Sequence, residues 1–167
     1  IWVYPANLAV DFGKVRYTRD FREASSLLQR GETVLYNPDW KSLKGIEGKF
    51  VPVFWSPVHF PNQAGTMGVL CDPKHEALKY FPTGNHCDWQ WWDLNINSTT
   101  LITDSVKGGS SIISMVDNFD NNRRLTSVYE GRVGQGKVIV ASIDLSSDLE
   151  NRPEAKQLLH SLLEYMN

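Results

Sequence analysis

Apolar positions near the start of the chain switch between strand and helix periods. Trp2-Val3-Tyr4 is short, apolar and closed by Pro5, which predicts a first strand. From Asp20 to Arg30, Phe21, Ala24, Leu27 and Leu28 fall at i, i+3, i+6 and i+7, on one helical face. Asp20 with Glu23 three residues on forms a capping box, and Gly31 supplies the stop. Thr33 to Tyr36 then predicts a strand, ended by Asn37-Pro38-Asp39. Strand, helix and strand in that order make a βαβ unit with a parallel sheet and a right-handed crossover.

Phe50 to Trp55 is another strand pattern, and Pro52 makes it short, irregular or an edge. A loop follows from Ser56 to Thr66, and Met67 to Leu70 reads as a brief strand or the lead-in to a helix. Asp72-Pro73 signals a helix start, and Pro82-Thr83-Gly84 ends that helix, with Ala77, Leu78 and Phe81 facing the core. Ile112 to Val116 predicts a strand. Thr126–Val133 and Lys137–Ile143 flank Gly134-Gln135-Gly136, a hairpin signal with glycine where the turn needs positive φ. Asn151-Arg152-Pro153-Glu154 caps a last helix. Its apolar stripe is Ala155, Leu158, Leu159, Leu162, Leu163 and Met166. The pattern predicts an α/β architecture, with helices on both faces of the sheet and an antiparallel hairpin and helix closing the chain.

The 167 residues predict one domain spanning 1–167. They are too few for a (β/α)₈ barrel, which takes about 250. A formal charge of −2 and a pI near 6.1 argue against nucleic acid, whose phosphates want a basic surface. Mean hydropathy is −0.33, and no apolar run approaches the roughly 20 residues of a membrane span. Cys71 and Cys87 could make one bridge or remain two thiols, so cysteine usage leaves the compartment open. The chain begins at Ile1 without a signal-peptide pattern, as expected for a piece of a longer protein or a mature form.

Reactive motifs are sparse. There is no Gly-x-Ser-x-Gly elbow, and Gly108-Gly109-Ser110-Ser111 reads as a flexible loop. Cys71 sits between Leu70 and Asp72 and lacks the small neighbours a strained elbow needs, so a buried thiol is expected. His59, His75, His86 and His160 show no i, i+4 pair, Cys-x-x-Cys is absent, and neither phosphate-loop pattern occurs. No metal or other cofactor is expected. Asp117, Glu130 and Asp144 lie near predicted strand ends, where carboxylates more often cap turns than catalyse. The run His86-Cys87-Asp88-Trp89-Gln90-Trp91-Trp92-Asp93 mixes indole rings with polar groups. Sugars stack C–H faces on such rings and bond hydroxyls to the polar neighbours. Trp89, Trp91, Trp92, His86, Asp88 and His59 are therefore the candidate ligand contacts, against the alternative that the rings fill a core or an interface. Asn97-Ser98-Thr99 matches a glycosylation sequon.

Several of these stretches also carry a family resemblance. Phe54-Trp55-Ser56-Pro57, Gly65 to His75, Ala77 to Thr83 and Trp89 to Leu94 resemble the C-terminal region of bacterial glycoside hydrolase family 2 proteins, which are multidomain and β-galactosidase-like. Arg124-Leu125, Tyr129 to Val138 and the Pro153-Glu154-Ala155 helix are similar to the class I glutamine amidotransferase-like domain that follows the barrel in several β-galactosidase families. The resemblance implies a three-layer, flavodoxin-like, mostly parallel sheet. It implies a parent enzyme whose two catalytic glutamates sit on a barrel outside this chain. It also implies partners among the other domains of the same polypeptide, carbohydrate or a second copy, and a periplasmic or secreted location. The amidotransferase nucleophile is not carried over, because Cys71 lacks the elbow glycines. The expected function is a noncatalytic accessory domain. The alternatives are a carbohydrate-binding module using the Trp-rich loop and a Cys71-dependent amidotransferase-like hydrolase.

Overall fold

The hairpin around Gly134 forms the middle of the sheet. The computed structural model describes residues 2–50, 59 and 66–167. Its eight strands are β1 (Arg16–Thr18), β2 (Thr33–Tyr36), β3 (Ile46–Glu47), β4 (Thr66–Cys71), β5 (Thr99–Ile102), β6 (Gly109–Asp117), β7 (Leu125–Val133) and β8 (Gly136–Ala141). The helices are α1 (Phe21–Gln29), α2 (Trp92–Ile96) and α3 (Pro153–Met166). β7 and β8 pair antiparallel from Val128↔Ala141 to Val133↔Gly136, and Gly134 makes the turn at φ +60°. β2 joins the free side of β8 in parallel, and β1 joins β2 in parallel. On the other side of β7 the sheet continues antiparallel through β6 to β4. β5 pairs with the first residues of β7 and carries the short β3.

This order overturns the expected mostly parallel, flavodoxin-like and amidotransferase-like sheet. Only β1–β2 and β2–β8 are parallel, and the other five pairings are antiparallel. A parallel return needs a crossover of a dozen or more residues, usually a helix. The segments joining β5, β6, β7 and β8 are all shorter than that, so the chain turns back on itself.

Local expectations met mixed outcomes. The strand that opens the βαβ unit is Arg16–Thr18, because Trp2–Tyr4 finds no ladder partner among the described residues. α1 forms as expected, with the Asp20 carboxylate accepting the Glu23 N–H at 2.8 Å. The helix expected after Asp72-Pro73 shrinks to a 3₁₀ turn at Glu76–Leu78, which still buries Ala77, Leu78 and Phe81. Gly109, Ser110 and Ser111 belong to β6 and not to a loop. Arg152 stands at the N-terminus of α3 without a side-chain cap, and Pro153 opens the helix. The strand expected at 50–55 lies almost wholly outside the described residues.

Packing follows the apolar stripes. Ala24, Leu27 and Leu28 of α1 cluster with Val34 of β2. The neighbouring Leu35 belongs to the larger cluster, with Ile139, Ala141, Val128 and Ile113 from the sheet and Ala155, Leu158, Leu159, Leu162 and Leu163 from α3. β2 is therefore covered on both faces. The second face of β4 and β6 is not, as exposed Leu70 and Val116 show. Full burial of one leucine stabilises by about 1.5–3 kcal/mol, so the α3 stripe is a large share of the stability.

Two polar clamps close the frame. Asn37, buried at the end of β2, donates from Nδ2 to the carbonyls of Ala141 and Ile143, each at 2.7 Å. Its Oδ1 accepts from the Leu145 N–H and the Tyr17 hydroxyl. Asp117, at the end of β6, holds the Arg123 guanidinium with two bonds of 2.8 and 3.0 Å and accepts the backbone N–H groups of Asn118 and Arg123. Burial by itself would raise the Asp117 carboxyl. The Arg123 bonds and backbone donors outweigh burial and hold it below the usual carboxylate range.

Asn37→Ala should cost about 3 kcal/mol, because it strands buried carbonyls, and urea unfolding at unchanged m measures this. A loss under about 1 kcal/mol would show that the clamp is dispensable. A depressed folded-state carboxyl contributes stability above its unfolded value, and that contribution disappears as pH falls through the folded value. Asp117→Asn should therefore be less stable at neutral pH, and its melting curve should fall less steeply below about pH 4. Parallel acid profiles for the two proteins would refute this assignment.

Candidate functional site

The Trp-rich run folds into two consecutive helical turns. Asp88 caps the first, Trp89–Trp91, by accepting the Gln90 N–H at 3.0 Å, and α2 continues from Trp92. Side chains three apart on a helical turn share a side. Trp89 and Trp92 accordingly face outward, 73% and 47% exposed, while Trp91 points inward with no exposure. The Trp91 indole N–H donates to Thr83 Oγ1 at 2.9 Å, and its ring meets Phe81 edge-on at 5.1 Å. Trp89 rests on the Phe50 ring, with centroids 5.2 Å apart.

The predicted contacts separate accordingly. Trp89 and Trp92 form an aromatic surface, whereas Trp91 is core. Asp88 is tied up as a cap. His86 is exposed three residues before Trp89, bridged through its backbone to Leu70, with its ring against Asn85. His59 lies in an exposed turn whose immediate neighbours fall outside the described residues. Tyr4, from the segment preceding β1, donates to Gln90 Oε1 at 2.5 Å and fastens that segment to the turn. Arg152 donates to Asp93 of α2 at 2.8 Å and reaches Asp144 at 3.5 Å, so the turn is also tied to the start of α3. The Asn97 amide is spent on Asp93, and Ser98 is buried, so the sequon residues serve the end of α2.

The cysteines are both free thiols. Burial, with the nearby Asp72, Cys87 and Asp88, pushes the Cys71 thiol up to about 11. Its sulfur contacts the Gly84 carbonyl at 3.5 Å. A protonated, buried thiol is a poor nucleophile. Cys87 Sγ accepts the Val69 N–H and the Asn95 amide. Among the described residues, no cluster of His, Cys, Asp and Glu could hold a metal ion.

A second constellation escaped sequence reasoning. Glu130 on β7 accepts the Ser110 hydroxyl at 2.9 Å and the Tyr165 hydroxyl at 2.7 Å, and His75 Nε2 lies 3.6 Å from the same carboxylate. His75 Nδ1 accepts the Ala77 N–H, which leaves the ring proton on Nε2, toward Glu130. Its bond to Glu130, together with burial, pushes the Tyr165 hydroxyl up to about 12, so it remains a donor at neutral pH. Ser110 bonds to the carboxylate and not to the imidazole, so this is no acyl-transfer triad. The four residues are far apart in sequence. Glu130 and His75 are visible in the sequence only as an isolated strand-end carboxylate and a lone histidine, and Gly108-Gly109-Ser110 only as a loop pattern; nothing in the linear order joins them to Tyr165.

The model of one protein family matches residues 16–167, from the first residue of β1 to the end of the chain. The chain belongs to that family, described as Domain of unknown function (DUF8487). None of the curated proteins matches it. The DUF8487 match covers both the aromatic turn and the Glu130 constellation, while the segment fastened by Tyr4 precedes it. Among the described residues of this DUF8487 chain, no helix is long and apolar enough to cross a membrane.

The two outer indoles and the inner one should respond oppositely to truncation. Trp91→Ala should destabilise by about 3–5 kcal/mol, as for other fully buried aromatics. Trp89→Ala should change stability by no more than about 0.5 kcal/mol. Chemical denaturation of both variants decides, and similar losses for the two would contradict the division into core and surface.

Proposed function

We propose that this chain is a noncatalytic accessory domain of a carbohydrate-degrading protein of the β-galactosidase-like, glycoside hydrolase family 2 type. Its contribution is a preformed aromatic surface and not a reaction centre. The observation that carries this reading is the Trp89–Trp92 turn. Trp91 anchors it in the core, and Trp89 and Trp92 stand outside on fixed backbone. Exposed large aromatics on a rigid support are characteristic of contact surfaces. The stretches that resemble the family 2 C-terminal region support the same reading, and so does the protonated, buried state of Cys71. In this role the turn contacts other domains of the same polypeptide or a second copy, in a periplasmic or secreted protein.

A second reading, a carbohydrate-binding module, is favoured by one feature. Trp89 is mostly exposed on its Phe50 support, with the polar His86 and Asp88 near it in the chain. A pyranose could stack its C–H face there.

Titration with galactosides, followed by tryptophan fluorescence, separates the two. A saturable change at millimolar sugar that Trp89→Ala abolishes establishes the binding module. No change leaves the surface to a protein neighbour, and Trp89 should then be protected from oxidation when the larger polypeptide is intact. Hydrolysis of an aryl galactoside by this chain, abolished by Glu130→Gln or Cys71→Ala, would refute a noncatalytic role.

A further inference from the structure

A cavity of about 410 Å³ opens where β6, β7 and β8 meet the last turn of α3, well within the size range of small-molecule sites. Ser110, Glu130, Arg132, Lys137 and Tyr165 line it, with Gly108 and Gly109 on one wall. A Cβ at Gly109 would overlap the Glu130 carbonyl oxygen and the Tyr129 ring, so only glycine lets this wall run so close to β7.

The charges are unusual. Arg132 and Lys137 are direct cross-strand partners of the β7–β8 ladder. Like charges placed opposite each other on neighbouring strands are destabilising. Among the described residues, no carboxylate oxygen lies within 4.0 Å of either. The carboxylate that shares the cavity, Glu130, is held by Ser110 and Tyr165 instead. The carbonyl end of α3 beside them supplies about half a negative charge, less than the two cations carry. The cations therefore form a local excess of positive charge beside a fixed hydrogen-bond acceptor. Glu130 repels a bare anion. It favours one that brings hydroxyl donors, which its remaining lone pairs can accept.

We infer that this cavity binds a small anionic polyol, a hydroxylated ring or chain bearing one carboxylate or phosphate. Arg132 and Lys137 take the anionic group, while Glu130 and Ser110 take hydroxyls. The site is built from elements other than the aromatic turn and stands independently of the role proposed for that turn.

Amide NMR titrations of the chain at constant ionic strength test it, with D-glucuronate, glucose 6-phosphate, D-glucose and inorganic phosphate as probes. Glucuronate or glucose 6-phosphate should shift the amides of Gly109, Ser110, Gly131 and Lys137 saturably. Affinity should exceed that for glucose or inorganic phosphate by about tenfold or more. Whichever acidic probe binds tighter identifies the carboxylate or the phosphate as the preferred group. Lys137→Gln and Arg132→Gln should each weaken binding by about tenfold while leaving the melting temperature unchanged or higher. Four results would overturn the inference: no saturable shift with either acidic probe, an equal response to inorganic phosphate alone, shifts confined to residues 86–92, or undiminished affinity in both variants. The first, second and fourth leave the outcome of the Trp89 fluorescence titration unchanged, whereas shifts confined to residues 86–92 would move binding to the aromatic turn and predict a Trp89 response there.

Discussion

β8 is the strand on which the two halves of the molecule depend. It accepts β2 in parallel on one edge and β7 antiparallel on the other. Asn37 fixes that junction from the end of β2 by bonding the Ala141 and Ile143 carbonyls where β8 finishes. Without such donors, those carbonyls would be buried and unpaired, at a cost of about 1–3 kcal/mol each. The same side chain receives the Leu145 N–H and so directs the chain toward α3. The α3 stripe can then reach the larger cluster, in which Leu158 and Leu162 are fully buried.

From that frame the aromatic turn inherits its rigidity. Trp91 is anchored by Phe81, buried in the core just after the 3₁₀ turn that follows β4, and by the half-buried Thr83 hydroxyl. Arg152 ties Asp93 to Asp144, linking α2 to the exit of β8. The backbone that carries Trp89 and Trp92 is thus held with little conformational freedom left to lose. That lowers the entropic cost of any contact they make. The Glu130 constellation is fixed differently, by a strand, a facing strand and the last turn of a helix. Its preorganisation comes from the sheet, whose ladder sets Ser110 against Glu130 and Arg132 against Lys137.

Much of the local structure was legible in the chain. α1 and its cap, the glycine hairpin and the buried stripe of α3 all form as their periodicities indicate. These features rest on interactions a few residues apart, which a linear pattern records. Asp72-Pro73 misled because the same pair that can open a helix can also make a turn. Trp2–Tyr4 misled because strand character is worth nothing without a neighbour to pair with. The βαβ unit does pair β1 and β2 in parallel, but the mostly parallel sheet implied by the family resemblance fails because pairing direction depends on connection length over the whole chain.

The sites divide along the same line. The Trp-rich turn was visible as composition, yet which indole is core and which is surface depends on a helical phase that the sequence alone did not give. The meeting of His75, Ser110, Glu130 and Tyr165 had no linear signal, since strand register and helix docking bring them together from four separate segments. Sequence by itself determined helical faces, caps and the hairpin turn, because those energies are local. Strand direction, the fate of each tryptophan and the cavity beside Glu130 were decided only by the tertiary structure, where residues distant in the chain compete for the same buried space and the same hydrogen bonds.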